Sequence, residues 1–285
     1  MAELHLELLG RPVVRRPGVP PTPIPISLQT FLAFLSIEPG GACHRDRLID
    51  ALWPDVPSDQ GRRRLNTAMW RARNLLSGHR DALVASRDGH IAFDQTVMTI
   101  DITPTIQALG ADGLNAARHG DGPAIDALRH AVLVDVGHFL AGNYDEWVVQ
   151  TRHMLDVAVM KGVDTLIEFS SASDEAIEWA ERLVVLDPLR EDAHRRLIRL
   201  YAQQGRRADA LRQYDVCVRN LRDGMGVEPL LETTLVATAV REGVDPLPTN
   251  PPDPHEALGA MRDALNNCQT IVDQIEAAIA SLPAD

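Results

Sequence analysis

Residues 60–76, QGRRRLNTAMWRARNLL, place five arginines on one short amphipathic helix of a chain with formal net charge −12. At about 100° per residue, Leu65, Ala68, Met69, Ala72, Leu75 and Leu76 gather on one face. Arg63, Asn66, Thr67, Trp70, Arg71 and Asn74 point the other way, flanked by Arg62, Arg64 and Arg73. Arginines interleaved with amides and a hydroxyl supply donors for phosphates and for base edges. Taken alone, the stripe suits a solvated arginine face equally well. Its neighbours shift the balance.

Downstream, ALVASRDGHIAFD (82–94) reads as a β-hairpin. Leu83, Val84, Ile91 and Phe93 are β-prone, and Asp88-Gly89 suits the positive φ angles of a type I′ turn. Arg87 and His90 flank the tip. Upstream, HRDRLIDALW (44–53) is a second amphipathic helix with Leu48, Ile49, Leu52 and Trp53 as its stripe. Pro54 and Pro57 end it, and Ser58 or Asp59 is placed to cap the basic helix. The order helix, turn, basic helix, hairpin is that of a winged helix-turn-helix. It directs the basic helix to the major groove and the hairpin tip to a neighbouring groove or the backbone.

Charge is divided unequally along the chain. Residues 1–100 hold 12 arginines against 10 carboxylates, a net of +2, while the other 185 residues hold 16 cations against 30 carboxylates, a net of −14. DNA binding is thereby confined to the N-terminal part, with strong salt dependence. A length of 285 residues with 45% hydrophobic content allows about two packed domains. Cys43, Cys217 and Cys268 are scattered and have no metal-ligand spacing, which fits a reducing compartment. The start MAELHLELLG does not have the form of a signal peptide, and no apolar run approaches the roughly 20 residues a membrane span needs. The location expected is the cytoplasm, at the nucleoid when DNA is bound, and no membrane partner is expected.

Ahead of these elements, Leu4, Leu6 and Leu8 alternate with polar residues as a half-buried strand. Pro17, Pro20, Pro21, Pro23 and Pro25 make the next segment a loop or a sheet edge. SLQTFLAFLSI (27–37) is a buried first helix. The first domain is therefore 1–102.

Residues 103–243 read as helical and repetitive. SASDEAIEWAERLVVLDP (171–188) parallels RRADALRQYDVCVRNLR (206–222), and Ala176 and Ala210 lie 34 residues apart, the period of a tetratricopeptide repeat. Leu197, Ile198 and Tyr201 before Gly205, with Ala210, Tyr214 and Cys217 after it, fit that spacing. A helix over 151–169 begins the array. Residues 244–254 form a proline-rich linker.

In 255–283, Leu258, Met261, Leu265, Cys268, Val272, Ile275, Ile279 and Leu282 are spaced alternately three and four residues apart. Such a seam builds either a dimerising coiled coil or a helix folded onto its own chain.

The chain resembles the Streptomyces antibiotic regulatory protein family. The resemblance rests on LELLGRPVV (6–14), RDRLIDALWP (45–54), the basic helix, SRDGHIAFD (86–94), DEWV with Arg152 (145–148, 152) and the long stretch 187–229. It implies a response-regulator-type winged helix followed by an all-α bacterial transcriptional activator domain, with a C-terminal helix beyond. Members resemble activators that bind short direct repeats upstream of promoters, contact RNA polymerase, pair on DNA and switch on secondary-metabolite genes. Smaller members need no cofactor. The chain departs from the family in two places. Leu28-Gln29-Thr30 stands where basic residues usually flank the glutamine, and Trp70 replaces a small polar residue on the recognition helix.

Enzyme signatures are missing from the sequence, which contains no GxxxxGK[ST], HExxH or GxSxG. His119, His130, His138 and His153 share no helical face and read as surface or capping residues, not as metal ligands. Asp145-Glu146 and Glu191-Asp192 read as solvent-facing or first-turn charges. The sequence therefore predicts a non-enzymatic, homodimeric regulator that binds double-stranded DNA. Arg63, Asn66, Thr67, Trp70 and Asn74 would lie nearest the bases, with Arg62, Arg64, Arg71 and Arg73 at phosphates and Arg87 and His90 at the hairpin tip. The competing reading is a protein-interaction adaptor that works through the acidic repeats.

Overall fold

The computed structural model describes residues 4–76, 79–170 and 173–244. They form two compact units, one ending at Leu186 and the other beginning at Asp187.

The first unit opens with the alternating leucines, which make strand β1 (Leu4–Glu7) with Leu4 and Leu6 buried. β2 (Val13–Arg16) pairs antiparallel with β1, and β3 (Val19–Pro23) lies at the sheet edge, where Pro20, Pro21 and Pro23 break no ladder. Helix α1 (Ile26–Ile37) is apolar nearly all round because it is buried on most sides, including Leu28, Phe31, Leu32 and Leu35. Strand β4 (Ala42–His44) leads into α2 (Arg45–Leu52), which the His44 ring caps by accepting from the Asp46 N–H. The basic helix α3 runs Ser58–Leu75.

Two local expectations are corrected here. Pro57, not Ser58 or Asp59, occupies the cap of α3. Its backbone is extended, with ψ 141°, it makes no side-chain cap bond, and Ser58 becomes the first helical residue. The hairpin β5 (Leu83–Ala85) and β6 (His90–Phe93) does not close with a type I′ turn. Gly89 has φ 92° but Asp88 does not have positive φ, and the Ser86 N–H donates to the His90 carbonyl at 2.8 Å. This is a three-residue loop with a left-handed glycine. The register Leu83↔Phe93 to Ala85↔Ile91 requires it, since it leaves Arg87, Asp88 and Gly89 in the loop.

Strand β7 (Met98–Ile100) then returns to pair parallel with β1, completing the order β3-β2-β1-β7. It is too short to show a clear period in sequence. Asp101 follows it and accepts from the N–H groups of Leu8 and Leu9 at 2.9–3.0 Å, fixing the end of β1.

The rest of this unit is helical: α4 (Ile102–Leu109), α5 (Ala111–Arg118), α6 (Gly122–Ala131), α7 (Glu146–Ser170) and α8 (Asp174–Leu186). The helix expected over 151–169 begins earlier, at Glu146, so α7 is a single helix of 25 residues. Phe139, fully buried, bridges to Leu9, and Trp147 stacks edge-on against Phe34 at 5.2 Å, which joins the strand-bearing part to the helices. Arg152 holds the intervening loop. It donates to the carbonyls of Phe139 (2.8 Å), Asn143 (3.0 Å) and Leu140.

The second unit holds α9 (Glu191–Gln203), α10 (Arg207–Met225) and α11 (Leu231–Glu242). Glu191 is in the first turn of α9, as expected, but it is not solvent-facing. Its carboxylate accepts from the Leu230 N–H and the Thr233 hydroxyl, capping the start of α11. Cys217 is buried, and burial pushes its thiol up to about 11, so it packs without reacting.

His194 is fully buried; its Nε2 faces the Pro188 carbonyl at 3.0 Å and its Nδ1 the Gln213 amide at 2.7 Å. Burial pushes its pKa below the ordinary 6.5, with Pro188, Glu191 and Asp187 opposing only in part. Below about pH 6.5 the unfolded chain takes up a proton that the folded chain refuses. The stability His194 contributes is thus present above that pH and fades as pH falls toward its depressed folded value. Hydrogen exchange of α9 and α10 amides is expected to speed up from pH 7.5 to 5.5 relative to the intrinsic rate. A His194→Gln chain, less protected throughout, should show a flatter trend.

Residues 245–254 and the seam Leu258, Met261, Leu265, Cys268, Val272, Ile275, Ile279 and Leu282 lie outside the described residues.

Candidate nucleic-acid interface

Helix α3 is amphipathic as its sequence period requires. Leu65, Ala68, Met69, Ala72 and Leu76 are buried, with Leu75 half-buried. Gly61 allows the close crossing with α2, since a Cβ there would stand 2.4 Å from Ile49 Cγ2. The opposite face presents Arg62, Arg63, Arg64, Asn66, Thr67, Trp70, Arg71 and Asn74, all exposed, with Trp70 65% accessible. Among residues 60–76 there is no carboxylate. Asp59 reaches Arg63 at 3.7 Å, but both groups are well solvated and the pair holds Arg63 only weakly. The Thr67 hydroxyl donates to the Arg63 carbonyl at 2.9 Å and keeps its acceptor capacity.

Two side chains depart from the expected placement. Arg73 is half-buried and donates from Nε and Nη2 to the Leu83 carbonyl at 3.2 and 3.1 Å. It ties the hairpin to α3 instead of standing free for a phosphate. Gln29 donates to the Ile24 carbonyl at 2.9 Å, and Leu28 beside it is only 2% exposed. A basic residue at position 28 would have to be buried, which accounts for the leucine there.

The hairpin tip is stiff. Ser86 and His90 both bond Asp88, with His90 Nδ1 at 3.0 Å, and the Ser86 hydroxyl foremost holds the Asp88 carboxyl below the usual range. The His44 and His90 rings meet edge-on at 5.3 Å, and the Arg45 N–H donates to the Gly89 carbonyl. A Cβ at Gly89 would lie 2.7 Å from His44 Nε2, so the tip is locked against the start of α2. Arg87 projects outward from the loop and is exposed.

Arg16 went unnoticed in the sequence. Its guanidinium reaches Thr22 and the Leu75 carbonyl, holding the C-terminal end of α3 to the first sheet. VVRR has no alternation that would mark it. Trp70, Asn74 and Arg73 line an open groove with Leu83, Val84 and Asp81. On the other flank, Arg63, Arg64, Thr67 and Arg71 line a second groove with Trp53 and Ser27. The exposed face of α3 thus stands as a cationic ridge between two depressions.

Outside this face, the expected surface histidines lie in local roles. His119 and His130 bond the carbonyls four residues back at 2.7 Å, and His138 pairs with Asp135. Among the described residues, no group of three or more His, Cys, Asp or Glu is placed to hold a metal, and no helix is long and apolar enough to cross a membrane.

Residues 102–241 match the family model of the bacterial transcriptional activator domain. That stretch therefore carries a bacterial transcriptional activator domain, and the chain as a whole is similar to regulators of the Streptomyces antibiotic regulatory protein family. It is similar to the regulatory protein AfsR of Streptomyces coelicolor, 28% identical over 205 residues, covering 70% of this chain and 20% of the relative. It is also similar to AfsR of Streptomyces griseus, 27% identical over 205 residues, covering 70% and 21%. The chain thus spans about a fifth of the length of the curated relatives it matches. Its fold is similar to that of Mycobacterium tuberculosis EmbR, solved in complex with a low affinity phosphopeptide. The TM-score is 0.57 at 22% identity, covering 96% of this chain and 72% of that one.

Proposed function

We propose that the chain is a sequence-specific DNA-binding transcriptional activator whose N-terminal part is a winged helix-turn-helix. The observation that carries this reading is the exposed face of α3. Four exposed arginines surround Asn66 and Thr67 on a helix with no carboxylate between residues 60 and 76, in a chain of net charge −12. Asn66 and Arg63 have the bidentate geometry for adenine and guanine edges, while Arg62, Arg64 and Arg71 stand at the flanks where phosphates pass. Arg87 and His90 at the hairpin tip would meet an adjacent groove or the backbone.

The α7–α8 and α9–α10 hairpins are read as tetratricopeptide-like, and the helical part as the surface for RNA polymerase. The heptad residues 258–282 would pair two chains on direct repeats, and secondary-metabolite genes are the targets the family suggests. These partners rest on similarity to the family. No cofactor enters the reading.

The test is selection from random duplex DNA at low salt with the full chain. A recurrent enriched sequence, repeated in direct orientation, is the expected result. Weak binding with no enrichment overturns the proposal and favours the adaptor reading, in which the exposed Trp70 face meets protein.

A further inference from the structure

Within the first unit, two depressions adjoin on α7. The first is walled by Leu114, Val157 and Asn115, with Arg118, His153 and Lys161 at its rim. The second is walled by Ile37, Ile106, Thr151 and Leu155 and is almost wholly apolar. Leu109, Met154 and Ala158 line both, so the two depressions adjoin along this shared edge and together make a trough. Along α7 the trough follows Thr151, Met154, Ala158 and Lys161, a span of about 15 Å at 1.5 Å per residue.

The trough is polarised. All its cationic groups lie at one end, and among the described residues no carboxylate lines either depression. This stands out in a part of the chain whose net charge is −14. Lys161 is the only lysine in the sequence, and both it and Arg118 are exposed with no salt bridge among the described residues. Met154, where the two depressions meet, is 62% exposed, a flexible side chain suited to closing over apolar ligands of varied shape. An apolar cleft with a few convergent charged groups, where two parts of a fold meet, has the features of a small-ligand site. Ile37 is the last residue of α1, so an occupant would touch both the strand-bearing part and the helices.

We propose that this trough binds a small amphipathic anion. Its apolar body would lie over Met154 and Ala158 toward Ile37 and Ile106, and its carboxylate, sulfonate or phosphate would be held by Arg118 and Lys161. The site is independent of the DNA-binding reading, because nothing in it depends on α3.

Fluorescence titration of the full chain with 8-anilinonaphthalene-1-sulfonate tests it, alongside N-phenyl-1-naphthylamine, the same ring system without the sulfonate. Saturation at one sulfonate probe per chain is expected, with displacement by decanoate. Arg118→Gln/Lys161→Gln, at two exposed positions, should weaken the sulfonate probe about tenfold and leave the neutral one unchanged, since two charge-assisted contacts are lost. Met154→Glu, also exposed, should weaken both by putting a carboxylate where the two depressions meet. Equal affinities across the three proteins, equal affinity for the charged and neutral probes, or binding that does not saturate would each overturn the proposal.

Discussion

Replacement of Asn66 by alanine is expected to cost about 1–3 kcal/mol at the selected duplex and much less on scrambled DNA. Arg63→Ala should behave in the same way, because its solvated pair with Asp59 at 3.7 Å offers little resistance to release. Neither change should unfold the protein, since both side chains are exposed on α3. Arg62→Ala and Arg64→Ala are expected to differ in kind. Each should weaken selected and scrambled duplexes alike and lower the salt slope by about one, as for the loss of a phosphate contact. Fluorescence anisotropy on both duplexes at several salt concentrations separates the two patterns. Uniform weakening by Asn66→Ala and Arg63→Ala would reduce α3 to a phosphate-gripping helix.

The second large effect concerns stability. Arg152→Ala is expected to destabilise the chain by about 3 kcal/mol, because three carbonyls of the 139–143 loop lose their donor together. That loop carries Phe139, which is fully buried and bridges to Leu9, so the loss reaches the first sheet. In thermal unfolding, a fall of roughly 6–12 °C follows for a domain of this size. Arg152→Lys should recover only a small part of it, since an ammonium group cannot reproduce the planar fork that reaches Phe139, Leu140 and Asn143 at once. A melting temperature within 2 °C of wild type, on the order of 1 kcal/mol or less, would show that the fork is dispensable.

The parts of the fold that were legible in sequence are those where one residue pattern implies one environment. The α3 stripe, the buried α1 and the proline edge strand are of this kind, and each is where the period places it. Boundaries were less legible. The loop type at Asp88-Gly89 was misread because it is set by the strand register, which the dipeptide does not encode. Pro57 displaced the expected side-chain cap because its own geometry already ends the turn. β7 has three residues and no visible period, and is identified only by its partner β1.

The candidate site shows the same division. The exposed face of α3 follows from helical spacing alone. That Arg73 would be consumed by the Leu83 carbonyl does not, because it depends on where the hairpin packs. Glu191 reads as a solvent-facing or first-turn charge and no local pattern marks His194 as buried; only the return of α11 and the approach of Gln213 bury them. The anionic-ligand trough was invisible for a related reason. Ile37, Arg118 and Lys161 are far apart in sequence, and no local pattern links them.

The central claim is that α3 reads bases in the major groove. Methylation interference on the selected duplex tests it most directly, because dimethyl sulfate marks guanine N7 in the major groove and adenine N3 in the minor. Placement of α3 in the major groove predicts interference at guanine N7 within each repeat, and loss of that interference at one guanine in Arg63→Ala. Interference confined to adenine N3, or an identical pattern for wild type and Arg63→Ala, would contradict it.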